Sequence, residues 1–430
     1  MNVRVNSSVA SLTESATLAI NQTAVTRRNG GEEIFHFGFG QSPFPVPGDI
    51  ERALVEAAAQ KEYLPTRGLK ELHERFTEYY NGLYQTQFRS ANIFVGPGSK
   101  ELIFQMLYLL EGPVILPAPS WVSYMPQTRL LGKRAVSVLT DKAAGYKLTF
   151  DQLEKTCHEL GKGQKVLILN SPNNPTGSIY SSEEIIALTR VCRAHDVILI
   201  SDEIYALVDF DGHSFESMAR YYPEGTIVTT GLSKGFSAGG YRLGIMGIPE
   251  NMQNLTEALK ILVSETFSCV SSPIQYSALA AYRQNSDLDL YITGCTRIHR
   301  LASTYLYHRL REMGAGCVEP AGAFYLFPDF DDFRGQFADL EISTAPQLCR
   351  YLLDEHNLAV LPGSVFNMPE QSLTVRLASV DYDGKAAIEA YLGGYELNDD
   401  FVADHLPNLV KGSDALAGFL SGVTGSTGVG

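Results

Sequence analysis

A lysine alone among small residues is the first candidate for chemistry. Lys234 follows Gly231-Leu232-Ser233, and Arg242 stands eight positions later. Five glycines fall within residues 231–244, too many for a helix interior and suited to backbone that something else approaches closely. Thr226-Ile227-Val228 leads in as a short buried strand. A lysine at such a strand end can form a Schiff base with a carbonyl, and a neighbouring arginine can hold an anion. A solvated surface loop is the ordinary setting for such a lysine, so this stretch by itself leaves both readings open.

Polar groups end other apolar runs. Ile93-Phe94-Val95 leads into Gly96-Pro97-Gly98-Ser99-Lys100, a helix opening directly after a strand, whose free backbone N–H groups suit a phosphate. Val166–Leu169 runs into Asn170-Ser171-Pro172-Asn173-Asn174-Pro175-Thr176-Gly177, and Val197–Ile200 into Ser201-Asp202-Glu203-Ile204-Tyr205. A carboxylate at the end of an apolar strand is costly unless it faces a cation or donor, so Asp202 should have one.

The elements that position these groups alternate. Residues 12–28 read as a helix, and the proline-rich crossing at 41–47 excludes regular structure. Asp49 is expected to cap a helix through Ala59, followed by a loop over 63–68 and a helix over 69–81. Strands are predicted at 93–95, 114–116, 166–169, 197–200 and 226–228, with helices over 101–110 and 183–195. Continuous apolar strands separated by helices indicate a mostly parallel sheet covered on both faces. Ligands of such sheets lie beyond the strands' carboxyl ends, where the polar residues fall. After Leu262 come helices over 273–283 and 288–313, then strands at 323–326, 358–361 and 373–377 around a helix over 345–356. Residues 403–421 are expected to hold one more helix.

The expected architecture is therefore α/β. Residues 49–290 would form a large domain and 291–421 a smaller α+β domain joined by the N-terminal segment 1–48, with a flexible tail over 422–430. A net charge of −14 and a pI near 5.1 argue against nucleic acid or an acidic membrane surface as partner. No apolar run reaches the roughly 20 residues that span a bilayer. The start of the chain lacks a signal-peptide pattern, and six scattered cysteines suit a reducing compartment, so a cytoplasmic enzyme is expected. The nine histidines are dispersed and His73-Glu74 lacks a second histidine at helical spacing, so no metal site is expected. Gly96-Pro97-Gly98 begins like a dinucleotide fingerprint, but Glu101 replaces its third glycine.

A phosphorylated ring with a protonated nitrogen and an aldehyde would satisfy Ser99, Arg242, Asp202 and Lys234 together. Pyridoxal 5′-phosphate fits that description, and its role as electron sink needs a carboxylate at the ring nitrogen. The residues 171–177, Asp202 to Tyr205, Ser233-Lys234 with Arg242, and Arg376 resemble the signature set of the class I and II aminotransferases, in order and spacing over about residues 15–395. The resemblance implies fold type I, with a seven-stranded, mostly parallel sheet. It implies that Lys234 holds the internal aldimine and moves the substrate Cα proton, that Asp202 pairs with the ring nitrogen, and that Tyr205 and Asn174 hydrogen-bond the phenolic oxygen. Trp121 would stack on the ring. Ser99, Lys100, Ser233 and Arg242 would hold the phosphate, with Tyr63 reaching the phosphate of a neighbouring subunit in a homodimer. Arg376 would grip the substrate α-carboxylate, with Gly40 and Asn174 beside it. Members of the family often carry Ser or Thr three residues before the lysine, where this chain has Gly231.

The activity so implied is ping-pong transfer of an amino group between an L-amino acid and a 2-oxo acid. A pyridoxal-phosphate β-lyase, decarboxylase or racemase would use the same residues, because the orientation of the bond broken at Cα is not written in these motifs. A non-catalytic cofactor-binding regulator and a cofactor-free Schiff-base lyase are the more distant alternatives. The substrate side chain is not readable.

Overall fold

The computed structural model describes residues 3–10, 12 and 15–425. The apolar runs pair into one seven-stranded sheet: β2 (Ile93–Gly96), β3 (Val114–Ala118), β4 (Ala135–Leu139), β5 (Lys165–Asn170), β6 (Val197–Asp202), β7 (Thr226–Gly231) and β8 (Gly244–Gly247), in the order β2-β8-β7-β6-β5-β3-β4. Only β8 runs against its neighbours; the β3–β4, β3–β5, β5–β6 and β6–β7 pairs are parallel. Helices cover both faces, so β2, β3 and β5 are buried at every position, as continuous apolar runs require. The expected mostly parallel sheet is therefore present.

The helices Phe150–Leu160 and Ser182–Ala194 pack together on one side and both begin with capping boxes, Thr149 with Gln152 and Ser181 with Glu184. Each box satisfies backbone donors that a helix start leaves open. On the other face, Ser99–Leu109 packs against β7 and β8.

A second structural layer joins the chain's beginning to its end. The strand β1 (Phe35–His36) pairs in parallel with β10 (Leu358–Ala359), while β9 (Tyr325–Leu326), β11 (Leu361–Pro362) and β12 (Val375–Ala378) form an antiparallel sheet. Phe35, Phe37 and Phe44 share a core with side chains from Cys295 to Leu420. The helix Ser286–Glu312 crosses the expected boundary at residue 290. Its Leu288 and Ile292 join the core of the large sheet, and Cys295 onward joins the second core.

Several expected boundaries move. The first long helix is Ala16–Asn29, not 12–28. Asp49 does not cap its helix: Gly48–Ala57 starts after Pro47, and Asp49 lies in the first turn, where its charge still complements the helix dipole. The helix expected over 273–283 ends at Ala278. The run 358–361 is split between β10 and β11, which pair with different partners. The single helix expected over 403–421 is two, Asp399–His405 and Pro407–Gly425, and the second carries regular structure into the tail expected to be flexible from 422. Residues 426–430 of that tail lie outside the described residues. No helix among the described residues is long and apolar enough to cross a membrane.

The C-terminal helices belong to the core. Phe401, Leu406 and Leu409 are fully buried, and Phe419 stacks on Phe337 with ring centroids 5.5 Å apart. Phe401→Ala should therefore destabilise the protein by about 3–5 kcal/mol through the cavity it leaves, read as a lower urea midpoint. An unchanged midpoint would show that this segment does not hold the second core together.

Candidate active site

The carboxyl ends of β5, β6 and β7 open into a cavity of about 430 Å³. Asn174, Asp202, Tyr205, Ser233 and Lys234 line it from those ends, Ser99 and Lys100 from the helix after β2, Trp121 from the turn after β3, and Arg242 from the turn before β8. Gly40 and Arg376 enter from the second layer. Every candidate site residue named from the sequence is gathered here except Tyr63, whose side chain is 92% exposed and does not line the cavity.

Lys234 is placed just past β7, where its amine donates to the carbonyl of Gly40 at 2.6 Å. The amine lies 5.4 Å from the ring centres of both Tyr205 and Phe324. Burial pushes its pKa down to about 7. The positive charges of Arg376, Arg242 and Lys100 push the same way, and Asp202 opposes them. A neutral amine near pH 7 is a competent nucleophile and base.

Asp202 ends β6 and is 3% exposed. Its carboxylate accepts from the Tyr124 hydroxyl at 2.7 Å and from the backbone N–H of Ile204 at 3.3 Å. Burial raises its pKa to about 6, against the pull of those hydrogen bonds and of Lys234. Among the described residues Asp202 has no ion-pair partner. Asn174 is locked from below: its backbone N–H donates to Asn170 Oδ1 at 2.7 Å, and Asn170 Nδ2 donates to the Asp202 carbonyl at 2.8 Å.

Arg376, in β12, is 1% exposed. It donates to Asn174 Oδ1 at 3.2 Å and to the Gly38 carbonyl at 2.6 Å, with its guanidinium 4.6 Å above the Tyr325 ring. A buried arginine without a carboxylate partner is expensive, so its charge is available to an anion in the cavity.

A second anion cradle sits at the start of the helix Ser99–Leu109. Gly98 has a φ of +97°, and a Cβ there would lie 2.4 Å from Arg242 Nη2. Only glycine lets the arginine reach the helix N-terminus. Arg242 is held by the carbonyls of Gly239 at 2.8 Å and Pro97 at 3.2 Å. Lys100 lies over the Trp121 ring at 5.2 Å, and burial together with Arg242 lowers its pKa.

Gly231 has a reason unrelated to this cradle. It pairs with Gly244 across β7 and β8, and a Cβ on it would stand 2.5 Å from the Leu243 carbonyl and 2.9 Å from Gly244 Cα. Any side chain there would push the two strands apart. Gly231 also lies outside the cavity wall.

The sequence reading missed several contributors. Tyr124 and Tyr325 look like core aromatics, yet one holds Asp202 and the other shares a 2.7 Å hydroxyl contact with Tyr205. Nothing in their immediate neighbours separates them from packed tyrosines. Thr17 also lines the cavity, from the N-terminal helix, and its hydroxyl is buried without a hydrogen-bond partner among the described residues.

Comparison with known proteins agrees with this geometry. The family model described as aminotransferase class I and II matches residues 32–383. An aspartate aminotransferase of Bacillus subtilis is 32% identical over 384 residues, covering 87% of this chain and 94% of its own. An asparagine–oxo-acid transaminase of Streptococcus mutans is 30% identical over 376 residues, covering 84% and 92%. The crystal structure of the Thermus thermophilus aspartate aminotransferase with maleate superposes with a TM-score of 0.83 at 26% identity, covering 97% of this chain and 99% of that one. The chain belongs to the class I and II aminotransferase family and shares its fold. It is an aminotransferase, and these relatives do not favour the lyase, decarboxylase or racemase alternatives.

The lowered pKa of Lys234 has a direct signature. In reductive methylation of the cofactor-free protein with formaldehyde and cyanoborohydride, only the neutral amine reacts, so labelling of the Lys234 peptide should reach half its maximum at about pH 7. Exposed lysines should do so near about 10.4. A Lys234 profile that follows the surface lysines would refute the electrostatic picture.

Proposed function

We propose that the chain uses pyridoxal 5′-phosphate to move an amino group between an L-amino acid and a 2-oxo acid in ping-pong half-reactions, as a cytoplasmic homodimer. The observation that carries this is Lys234, depressed to about pH 7 in one cavity with the buried carboxylate of Asp202 and the buried guanidinium of Arg376. Residues 49–290 are proposed as the cofactor domain, with residues 1–48 and 291–421 as its smaller companion.

The residues present fit the cofactor. Asp202 is a cavity carboxylate lacking a cation, and Gly98 leaves the helix start open beside Arg242. When bound, pyridoxal phosphate supplies an aldehyde for the lysine and a ring that takes up the electron pair left by the broken Cα–H bond.

The chain's own groups do the rest. Lys234 accepts the proton from the substrate Cα and returns it to the other end of the reacting system. Asp202 keeps the ring nitrogen protonated, with Tyr124 holding the carboxylate in place. Tyr205 and Asn174 donate toward the phenolic oxygen, and Trp121 covers one ring face. The backbone N–H groups of Ser99 and Lys100, the Ser233 hydroxyl and the Arg242 fork hold the phosphate. Arg376 takes the α-carboxylate, with Asn174 and Gly40 beside it. The exposure of Tyr63 is compatible with service to a partner subunit's phosphate.

Several of the relatives are named aspartate aminotransferases, so L-aspartate is the first donor to test. Adding it to the coloured holoenzyme should convert the visible spectrum to that of the aminated cofactor, and a 2-oxo acid should reverse the change. Release of ammonia with no aminated cofactor formed would overturn transamination, and ammonia with pyruvate from a donor that carries a β-leaving group, such as L-cysteine, would favour elimination. Lys234→Ala should lose turnover by on the order of 10⁴-fold, and retained activity would remove the lysine from the mechanism. Arg376→Lys, which loses the planar fork, should raise KM for the amino acid by about 10–100-fold with a smaller change in kcat. An unaltered KM would place the carboxylate elsewhere.

A further inference from the structure

We propose that Glu154, His158 and His195 form a binding site for one divalent transition-metal ion, with zinc as the leading candidate. Glu154 and His158 stand one turn apart on the helix Phe150–Leu160, and His195 follows the helix Ser182–Ala194. His158 Nε2 lies 3.0 Å from Glu154 Oε1, and His195 Nε2 lies 3.1 Å from the same oxygen. The ligating atoms all fall within 4.8 Å of one another. The two imidazole rings face each other edge to face, with centroids 4.9 Å apart.

The donor set and its spacing both point to a metal. Two imidazoles and one carboxylate suit zinc and its neighbours, whereas magnesium and calcium prefer all-oxygen sites. A tetrahedral ion with bonds of about 2.0–2.2 Å sets its ligand atoms about 3.3 Å apart, close to the two separations between Glu154 and the histidines. Binding requires each histidine to offer its Nε2 lone pair, so the ring proton sits on Nδ1 and the hydrogen bonds to Glu154 give way to metal bonds. His158 is 70% exposed, which leaves the fourth position open to water.

The scaffold is rigid enough for such a site. Both helices are capped and pack on each other. The backbone N–H of His195 donates to the Val191 carbonyl at 3.1 Å, and its own carbonyl accepts from the buried Lys165 amine at 3.2 Å. His195 leads directly into β6, so the site lies at the amino ends of the strands, opposite Lys234. An ion here clamps two helices and takes no part in chemistry at Lys234. The sequence conceals the site because His195 is far along the chain from Glu154.

The test is to strip the holoenzyme with EDTA and titrate it with zinc alone, reading uptake by equilibrium dialysis and stability by thermal melting. The wild type should bind one ion per chain in the micromolar range and melt higher with it. His158→Ala removes a mostly exposed side chain, so folding is retained. This variant and His195→Ala should each bind zinc more than about tenfold more weakly, because loss of even an outer-shell partner costs that much. Neither variant should gain melting temperature from zinc, while transamination stays at the wild-type rate. Undiminished uptake in both variants would assign the ion to other groups and overturn the proposal. Uptake by the wild type only at millimolar zinc would overturn it too, leaving a histidine–glutamate hydrogen-bond cluster.

Discussion

Positive charge gathered around one cavity governs this molecule. Lys100, Lys234, Arg242 and Arg376 surround one cavity with Asp202 as the carboxylate nearest to them. Each cation raises the cost of protonating the others, most strongly where buried Arg376 faces Lys234. Lysine is the side chain that can escape by losing its proton, since an arginine keeps its charge. Burial first and this crowding second therefore leave much of Lys234 as the neutral amine near pH 7. The crowding also leaves the guanidinium groups seeking anions.

The fold has to pay for that arrangement, and it does so with carbonyls, aromatic faces and glycines. Arg376 rests on the Tyr325 ring and donates to the Gly38 carbonyl. Arg242 donates to Gly239 and Pro97. Lys234 donates to Gly40, where a side chain would collide with the Tyr325 hydroxyl. Gly98, Gly231 and Gly244 let β7, β8 and the helix after β2 close on one another, since a Cβ on Gly244 would stand 2.5 Å from Ser99 N. Neutral oxygens and ring faces stabilise the cations without cancelling them, so the charge remains usable.

The parts of this structure that were legible in the sequence share one trait. Asp202, Asn174, Ser99 and Lys234 are polar residues that interrupt or end apolar runs, and each such break marks a strand's carboxyl end. β4 was missed because it is only half buried, and β8 because glycines bound its two apolar side chains. Tyr124 and Tyr325 were missed because a tyrosine whose hydroxyl works in a site is spelled the same way as one packed in a core. Arg376 sits between apolar strand residues, where periodicity predicts an exposed edge charge; the rings of Tyr325 and Phe366, from other elements, cover it. The boundary near 290 was blurred by one helix that serves two cores.

The cavity wall draws on segments far apart in the chain, from Ser15 to Arg376. A ribosome releases these residues in order, N-terminal first. Most of the large sheet can assemble while the last strand, β12, is still unmade, and at that stage Lys234 lacks the strongest of its neighbouring charges. The burial that is the larger cause of its lowered pKa is also incomplete, because Phe324, beside the amine, comes from the second layer. The lowered pKa of Lys234 is therefore a property of the completed fold and not of the large sheet alone.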